Sequence, residues 1–310
     1  MRGESENTGM GKQACAGTIM GAADEKCTVT GCPIKTREDW AGIGKGCGMA
    51  GIRGFLIDID GVISTGSDPV PGAAGTIAWL QEAGYSFRFI SNSTRRSVQG
   101  ISRRLTGMGI PAGPDSILTP AVAAASLARQ RGWSRAFLVT TEDVKEDFLR
   151  AGIVPCGEAC DCIVVGDCGK SFSYDTLNAA FRLAIAGTPV LALEKDRYFR
   201  DDDGLSLSAG PFVAALEYAA GRQAELVGKP AQSYFLAALA SLGLAPGEVA
   251  MIGDDAISDV QGAMDAGMAG ILVRTGKYSP DALLACRRPP TAVLPSIAAL
   301  REYLEGRGTG

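Results

Sequence analysis

The chain has 310 residues, of which 46% are hydrophobic and 21% charged, enough for a sizeable core and incompatible with pervasive disorder, a fibrous repeat or a disulfide scaffold. Its formal net charge is −4, and its basic residues come in pairs (Arg95-Arg96, Arg103-Arg104, Arg287-Arg288) rather than long runs, so nucleic-acid binding has no electrostatic footprint. It contains no histidine, which excludes Ser-His-Asp triads, Cys-His pairs and HExxH zinc sites and leaves Asp, Glu, Lys, Tyr or Cys for acid–base work.

In chain order, residues 1–48 show no sustained helical or strand period and read as a disordered leader. Their cysteines, Cys15, Cys27, Cys32 and Cys47, lack the paired spacing of a zinc ribbon. Met49, just before Ala-Gly-Ile-Arg-Gly-Phe-Leu-Ile-Asp, is an alternative natural start. From Gly54 onward strands and helices alternate. Gly54–Asp58 is an apolar run typical of a strand buried on both faces. A helix is expected from Pro71 to Gly84, a strand over Ser86–Ser91 and a helix over Arg95–Met108. The alternation continues through strands at Ala136–Thr140, Cys162–Gly166, Pro189–Leu193, Glu225–Val227, Val249–Ile252 and Ile271–Arg274. Helices are expected at Glu142–Ala151, Tyr174–Ala186, Pro211–Ala220, Ser233–Leu242, Asp259–Ala266 and Ile297–Leu304. This order predicts parallel sheets with helices on both faces, and the number of strands calls for two α/β units.

Ligands of such sheets bind beyond the carboxyl ends of the strands. The first strand ends in Asp58-Ile59-Asp60, two carboxylates on one side of an extended chain. A DxD pair also occurs in surface loops, but a buried strand delivering it argues against a casual position. Ser91-Asn92-Ser93 ends the second strand and suits either anion binding or helix capping. Lys229 stands between Gly228 and Pro230 just past a strand, as a placed cation or a turn lysine. Gly253-Asp254-Asp255-Ala256-Ile257-Ser258-Asp259 is an acidic loop at another strand end, which would also serve as the N-cap of the next helix.

Together these strand ends bring Asp58, Asp60, Asp254, Ser91 and Lys229 to one rim. Two like charges 4 Å apart repel by about 4 kcal/mol at an effective dielectric of 20. Clustered carboxylates would therefore repel a phosphate dianion unless a divalent cation joined them. With oxygen ligands and no histidine, Mg²⁺ is the natural cation. The set suits phosphoryl transfer to a carboxylate.

DIDGV, SNS, GKP and GDDAISD, in this order, resemble the motifs of haloacid dehalogenase-type phosphatases, and most closely the NagD-like subfamily IIA. The resemblance covers about residues 52–304 and implies a Rossmann-like doubly wound parallel sheet core, over 49–118 and 215–310, with an inserted α/β cap over 119–214. It implies that Asp58 is the nucleophile and that Asp60 protonates the leaving group and then activates water. Ser91 and the Asn92 backbone would bind the transferring phosphate, and Lys229 would neutralise it. Mg²⁺ would sit on the Asp58 carboxylate, the Asp60 carbonyl and Asp254, with Asp259 in the outer sphere. Asp255 is equally explained by a helix start. Cap residues Asp167 and Lys170, in the Gly166–Tyr174 loop, and Lys195, in the segment Glu194-Lys195-Asp196-Arg197-Tyr198, are candidate substrate contacts. The partner implied is a small phosphorylated compound, with no nucleic acid and no membrane. Analogy with relatives suggests a homodimer through the cap.

Rival readings remain. Gly169-Lys170-Ser171 follows a strand as in a P-loop, but Val164 stands where the first glycine belongs. A non-catalytic phospho-ligand binding protein on the same fold is the other alternative. With no signal-peptide pattern and no apolar span of membrane length, the expected compartment is the cytoplasm. Cys156, Cys160, Cys162 and Cys168 are then expected as buried thiols, with Cys168 a candidate redox-sensitive position.

Overall fold

The computed structural model describes Met49, residues 51–201 and residues 204–306. The expected leader and its four cysteines lie outside the described residues. All five residues of the Gly54–Asp58 strand are buried, as an apolar run without alternation requires. It pairs in parallel with Val249–Gly253 on one side and Ser86–Ile90 on the other. The sheet has six parallel strands, in the order Ala292–Leu294, Ala269–Val273, Val249–Gly253, Gly54–Asp58, Ser86–Ile90, Ile117–Leu118. From the Gly54 strand the chain winds outward to Ile117–Leu118, then returns to start the other wing at Val249. The switch point therefore lies between Gly54–Asp58 and Val249–Gly253, where a crevice opens at the carboxyl ends.

Alternate side chains serve opposite faces. Phe55, Ile57 and Phe89 pack with Ile77, Leu80 and Leu105 on one side. Leu56, Ile90 and Met251 face the other, where they join Phe235 and also Phe148, Cys162 and Val164. Phe148 comes from the Glu142–Arg150 helix, and Cys162 and Val164 from a second parallel sheet, ordered Glu225–Leu226, Val190–Ala192, Cys162–Val165, Arg135–Val139, Val154–Pro155. One apolar cluster thus runs from the first sheet into the inserted unit.

The expected cap boundary at residue 214 falls inside the Gly210–Ala220 helix. Val213 and Leu216 of that helix pack with Ile163, Val165 and Ala192 of the second sheet. Glu225–Leu226 is an edge strand of that same sheet, so the chain leaves it only after Leu226. A two-residue strand carries no pattern that says which sheet it joins. The Pro120–Gln130 helix was not expected, although Thr119 accepts the Val122 N–H and Pro120 takes the first position. The antiparallel hairpin Tyr198–Asp201 with Gly204–Leu207 was not expected either.

Among the described residues, no helix is long and apolar enough to cross a membrane. The cysteine reading needs one correction. Cys156 and Cys160 are joined in a disulfide, their Cα atoms 6.0 Å apart, because the short loop after Val154–Pro155 folds them face to face. Cys162 and Cys168 are buried thiols, each pushed up to about 11 by burial. Burial thus disfavours the thiolate form of both.

Candidate active site

Asp58 is the last residue of the central strand, beside the switch point, and is buried. Its Oδ1 accepts a 2.7 Å hydrogen bond from Lys229 Nζ. Lys229 is only 3% exposed, and its ammonium also lies 2.7 Å from Asp259 Oδ1. Asn92 fixes the lysine's backbone from both sides. Its Oδ1 accepts the Lys229 N–H at 2.9 Å, and its Nδ2 donates to the Lys229 carbonyl at 3.1 Å. Gly228 is required beside it, since a Cβ there would stand 2.3 Å from the Leu193 carbonyl oxygen.

Asp254 follows the Val249–Gly253 strand on the other side of the switch point. Its Oδ2 accepts the Lys277 N–H at 2.6 Å. Gly61 and Gly276, at φ +89° and +60°, close around that oxygen, and a Cβ on either would come within 2 Å of it (1.8 and 1.9 Å). Asp259 is delivered by the π-helical turn Ala256–Gln261, where the Val260 N–H reaches back to the Asp255 carbonyl. Such turns recur at functional sites because the extra residue re-aims a side chain. Asp255 takes the helix-start role: its Oδ1 accepts the N–H groups of Ile257 and Ser258, each at 2.9 Å.

Oxygens of Asp58, Asp254 and Asp259 lie within 4.8 Å of one another, and all three residues are buried. Burial pushes the Asp58 carboxyl well up, Lys229 pulls it back, and Asp259 and Asp254 push it up again. Burial, then Asp259, raises Asp254 to about 7, against the Lys277 N–H and Lys229. Lys229 stays charged: burial opposes it, but Asp259 and Asp58 raise it well above an ordinary lysine. Asp259 Oδ1 is buried and faces the Lys229 ammonium at 2.7 Å. Three clustered buried carboxylates and a glycine cradle around Asp254 fit a hard divalent cation. Asp259 lies in the carboxylate cluster itself.

Asp60 points elsewhere. Its side chain is 51% exposed, and its Oδ1 accepts from Arg104 Nη1 at 3.1 Å. Arg104 also donates to Ser64 Oγ and the Gly66 carbonyl. Ser91 Oγ lies 3.5 Å from Asp60 Oδ2 and accepts the Ser93 N–H at 3.0 Å. The capping alternative for Ser91 falls away, because the next helix begins at Val98 with Ser97 as its cap.

A cleft of about 740 Å³ connects these groups to the inserted unit. Asp58, Asp60, Asn92, Lys229, Asp254 and Asp259 line it. Asp167 also lines it, but buried, with Oδ2 3.5 Å from Arg95 Nε and Oδ1 accepting the Gly169 N–H. Lys170 and Lys195 do not. Lys170 is exposed on the Gly169–Ser171 turn, and Lys195 is held by both carboxylate oxygens of Glu217, at 2.8 and 2.9 Å. Glu194 is buried, accepting from Ser208 Oγ at 2.6 Å, Ala209 N at 2.8 Å and Asp196 N. Sequence reasoning missed Arg104, Lys277 and Phe199, which line the cleft, while Asp196 of the expected Glu194–Tyr198 segment does line it. Lys277 had a readable signal, since it follows the end of the Ala269–Val273 strand.

Comparison with known proteins agrees with this geometry. Residues 55–154 match a family model described as haloacid dehalogenase-like hydrolase, and residues 226–300 one described as HAD-hydrolase-like. The chain is 39% identical over 250 residues to human haloacid dehalogenase-like hydrolase domain-containing protein 2, covering 78% of this chain and 95% of the relative. It is 35% identical over 239 residues to human phospholysine phosphohistidine inorganic pyrophosphate phosphatase, covering 75% of this chain and 87% of the relative. Among solved structures, p-nitrophenyl phosphatase from Archaeoglobus fulgidus superposes with a TM-score of 0.77 at 29% identity, covering 81% of this chain and 98% of that one. NagD from Escherichia coli superposes at 0.74 and 26% identity, covering 80% and 97%.

Proposed function

We propose, since the chain belongs to the haloacid dehalogenase-like hydrolases of the NagD-like subfamily IIA, that it is a Mg²⁺-dependent phosphatase acting on a small phosphorylated compound through an aspartyl-phosphate at Asp58. The observation that carries this reading is Asp58 itself. It is a buried carboxylate at a switch-point strand end, with one oxygen held by Lys229 and two further buried acids beside it.

In the first step an Asp58 oxygen attacks phosphorus, the bond from phosphorus to the leaving group breaks, and Asp60 gives that group its proton. In the second, Asp60 takes a proton from water as the water oxygen attacks phosphorus and the Asp58–phosphorus bond breaks. Lys229 offsets charge on the transferring group. Ser91 Oγ and the Asn92 backbone hold its oxygens, while the Asn92 side chain keeps Lys229 in place. Asp58, Asp254 and the Asp60 carbonyl would hold Mg²⁺, and the place of Asp259 in the carboxylate cluster supports adding that residue nearby, in the set or its outer sphere. Bound there, the ion supplies electrostatic stabilisation of phosphoryl charge and lets the carboxylates coexist ionised.

The reading extends to a cytoplasmic protein and to a homodimer through the cap. The substrate panel follows from the relatives: p-nitrophenyl phosphate, small phosphate esters, a phosphoramidate and pyrophosphate. Parent protein should hydrolyse p-nitrophenyl phosphate only with Mg²⁺. Asp58→Asn, folded by circular dichroism, should lose about a thousandfold or more of that rate. Binding without turnover by folded parent would favour the non-catalytic alternative, and activity surviving in Asp58→Asn would overturn the mechanism.

A further inference from the structure

We propose that Lys277 determines specificity at this site by binding an anionic group on the leaving group of the substrate, and that Asp196 is the cap carboxylate it releases to do so. The inference rests on the phosphatase reading and names a class within it: phosphate compounds whose leaving group carries a second anion, a carboxylate or a further phosphate.

Three other cations of the cleft are committed, while Arg96 lines it on the exposed turn before Ser97. Lys229 is enclosed between Asp58 and Asp259. Arg104 is spread over Asp60, Ser64 and the Gly66 carbonyl. Arg95 pairs with Asp167 and lies over the Phe199 ring. Lys277 is different, because its backbone is fixed and its ammonium is not. The Lys277 N–H is bonded to Asp254 Oδ2, Gly276 before it is wedged against the same oxygen, and Thr275 Oγ1 donates to the Gly61 carbonyl. The residue is thus anchored to the wall of the carboxylate cluster. Its ammonium meets the cap at one point, 4.0 Å from Asp196 Oδ2, with the two side chains 64% and 43% exposed. An ion pair so long and so exposed is weak and is readily exchanged for a better one.

Lys277 and Asp196 line the same cleft as Asp58, and the proposal has the leaving group extend from phosphorus over Asp58 to this cation. A carboxylate or phosphate there would replace the loose Asp196 contact with a charge-assisted hydrogen bond. The remaining cap carboxylates of the cleft do not compete. Asp167 is held by Arg95 and the Gly169 N–H, and Glu194 by Ser208, Ala209 and Asp196.

The test uses three phosphonate series of two to five carbons, n-alkyl, ω-carboxyalkyl and ω-aminoalkyl, as inhibitors of p-nitrophenyl phosphate hydrolysis with Mg²⁺. The same compounds are titrated calorimetrically into parent, Lys277→Gln and Asp196→Asn. At the best chain length the parent should bind the carboxyalkyl compound about tenfold more tightly than its alkyl counterpart. Lys277→Gln should erase that ratio without lowering the melting temperature, and Asp196→Asn should widen it. The proposal is overturned if no length shows the preference, if it survives in Lys277→Gln, or if aminoalkyl compounds are preferred and Asp196→Asn erases that preference. Should the parent fail to turn over p-nitrophenyl phosphate, the phosphatase reading falls, and the calorimetric ratios still decide the role of Lys277.

Discussion

Asp254 shows how a single side chain is specified by backbone from distant parts of the chain. Gly61 and Gly276 leave it room, and the Lys277 N–H fixes its Oδ2. In Gly276→Ala the new methyl would lie 1.9 Å from Asp254 Oδ2 and 2.5 Å from the Gly61 Cα, at a φ that disfavours any side chain. Since an ion bound only to the folded state raises stability by about 2.7 kcal/mol at a hundred times its Kd, Mg²⁺ should raise the parent's melting temperature. Gly276→Ala should need at least about tenfold more Mg²⁺ for the same shift, read from melting curves across a Mg²⁺ series. An unchanged Mg²⁺ dependence would show that the cradle does not set the position of Asp254. At this scale the acids and Lys229 were legible because each follows a strand. The glycine cradle was not, because nothing local in DIDGV or RTGKY says that the two loops touch.

The helix Val98–Gly107 is started by acids from another element. Ser97 caps it and donates its hydroxyl to Asp143 Oδ1 at 3.0 Å, while Asp147 Oδ2 accepts the Val98 N–H at 3.1 Å. Asp143 and Asp147 belong to the Glu142–Arg150 helix of the inserted unit. Burial raises Asp147 to about 6, against the Val98 N–H that lowers it. A carboxyl raised on folding favours the folded state when protonated. Its contribution is therefore fully present below the ordinary carboxylate range, near ~4, and is lost as pH rises through about 6. Asp147→Asn keeps an oxygen for the Val98 N–H and cannot titrate. Between about pH 4 and 6.5 the parent should lose about 1–2 kcal/mol relative to the variant, measured by urea unfolding at each pH. Parallel curves would refute the assignment. The helix itself was readable from its period. Its start was not, since the acids that dock there come from a segment more than forty residues later.

Across the whole molecule, the apolar cluster joining Leu56 and Met251 to Phe148 and Val164 ties the cap to the core, while the cleft separates them on the other side. The hairpin Tyr198–Asp201 with Gly204–Leu207 leaves Tyr198, Leu205 and Leu207 exposed, which supports the proposed homodimer through the cap. Light scattering should give a dimer for the parent and a monomer for Leu205→Ser with Leu207→Ser at the same concentration. A monomeric parent would refute that assembly. The sequence by itself determined the strand–helix alternation, the two α/β units and the carboxylates and lysine at strand ends, because burial and hydrogen bonding impose local periods that the residues display. Only the tertiary structure decided that Asp259 joins Asp58 and Asp254, that Asp60 turns to Arg104, that Lys170 and Lys195 stay outside the cleft, and that Lys277 faces Asp196. Each of those outcomes depends on which loops meet across sheets, a matter of long-range packing that no local pattern encodes.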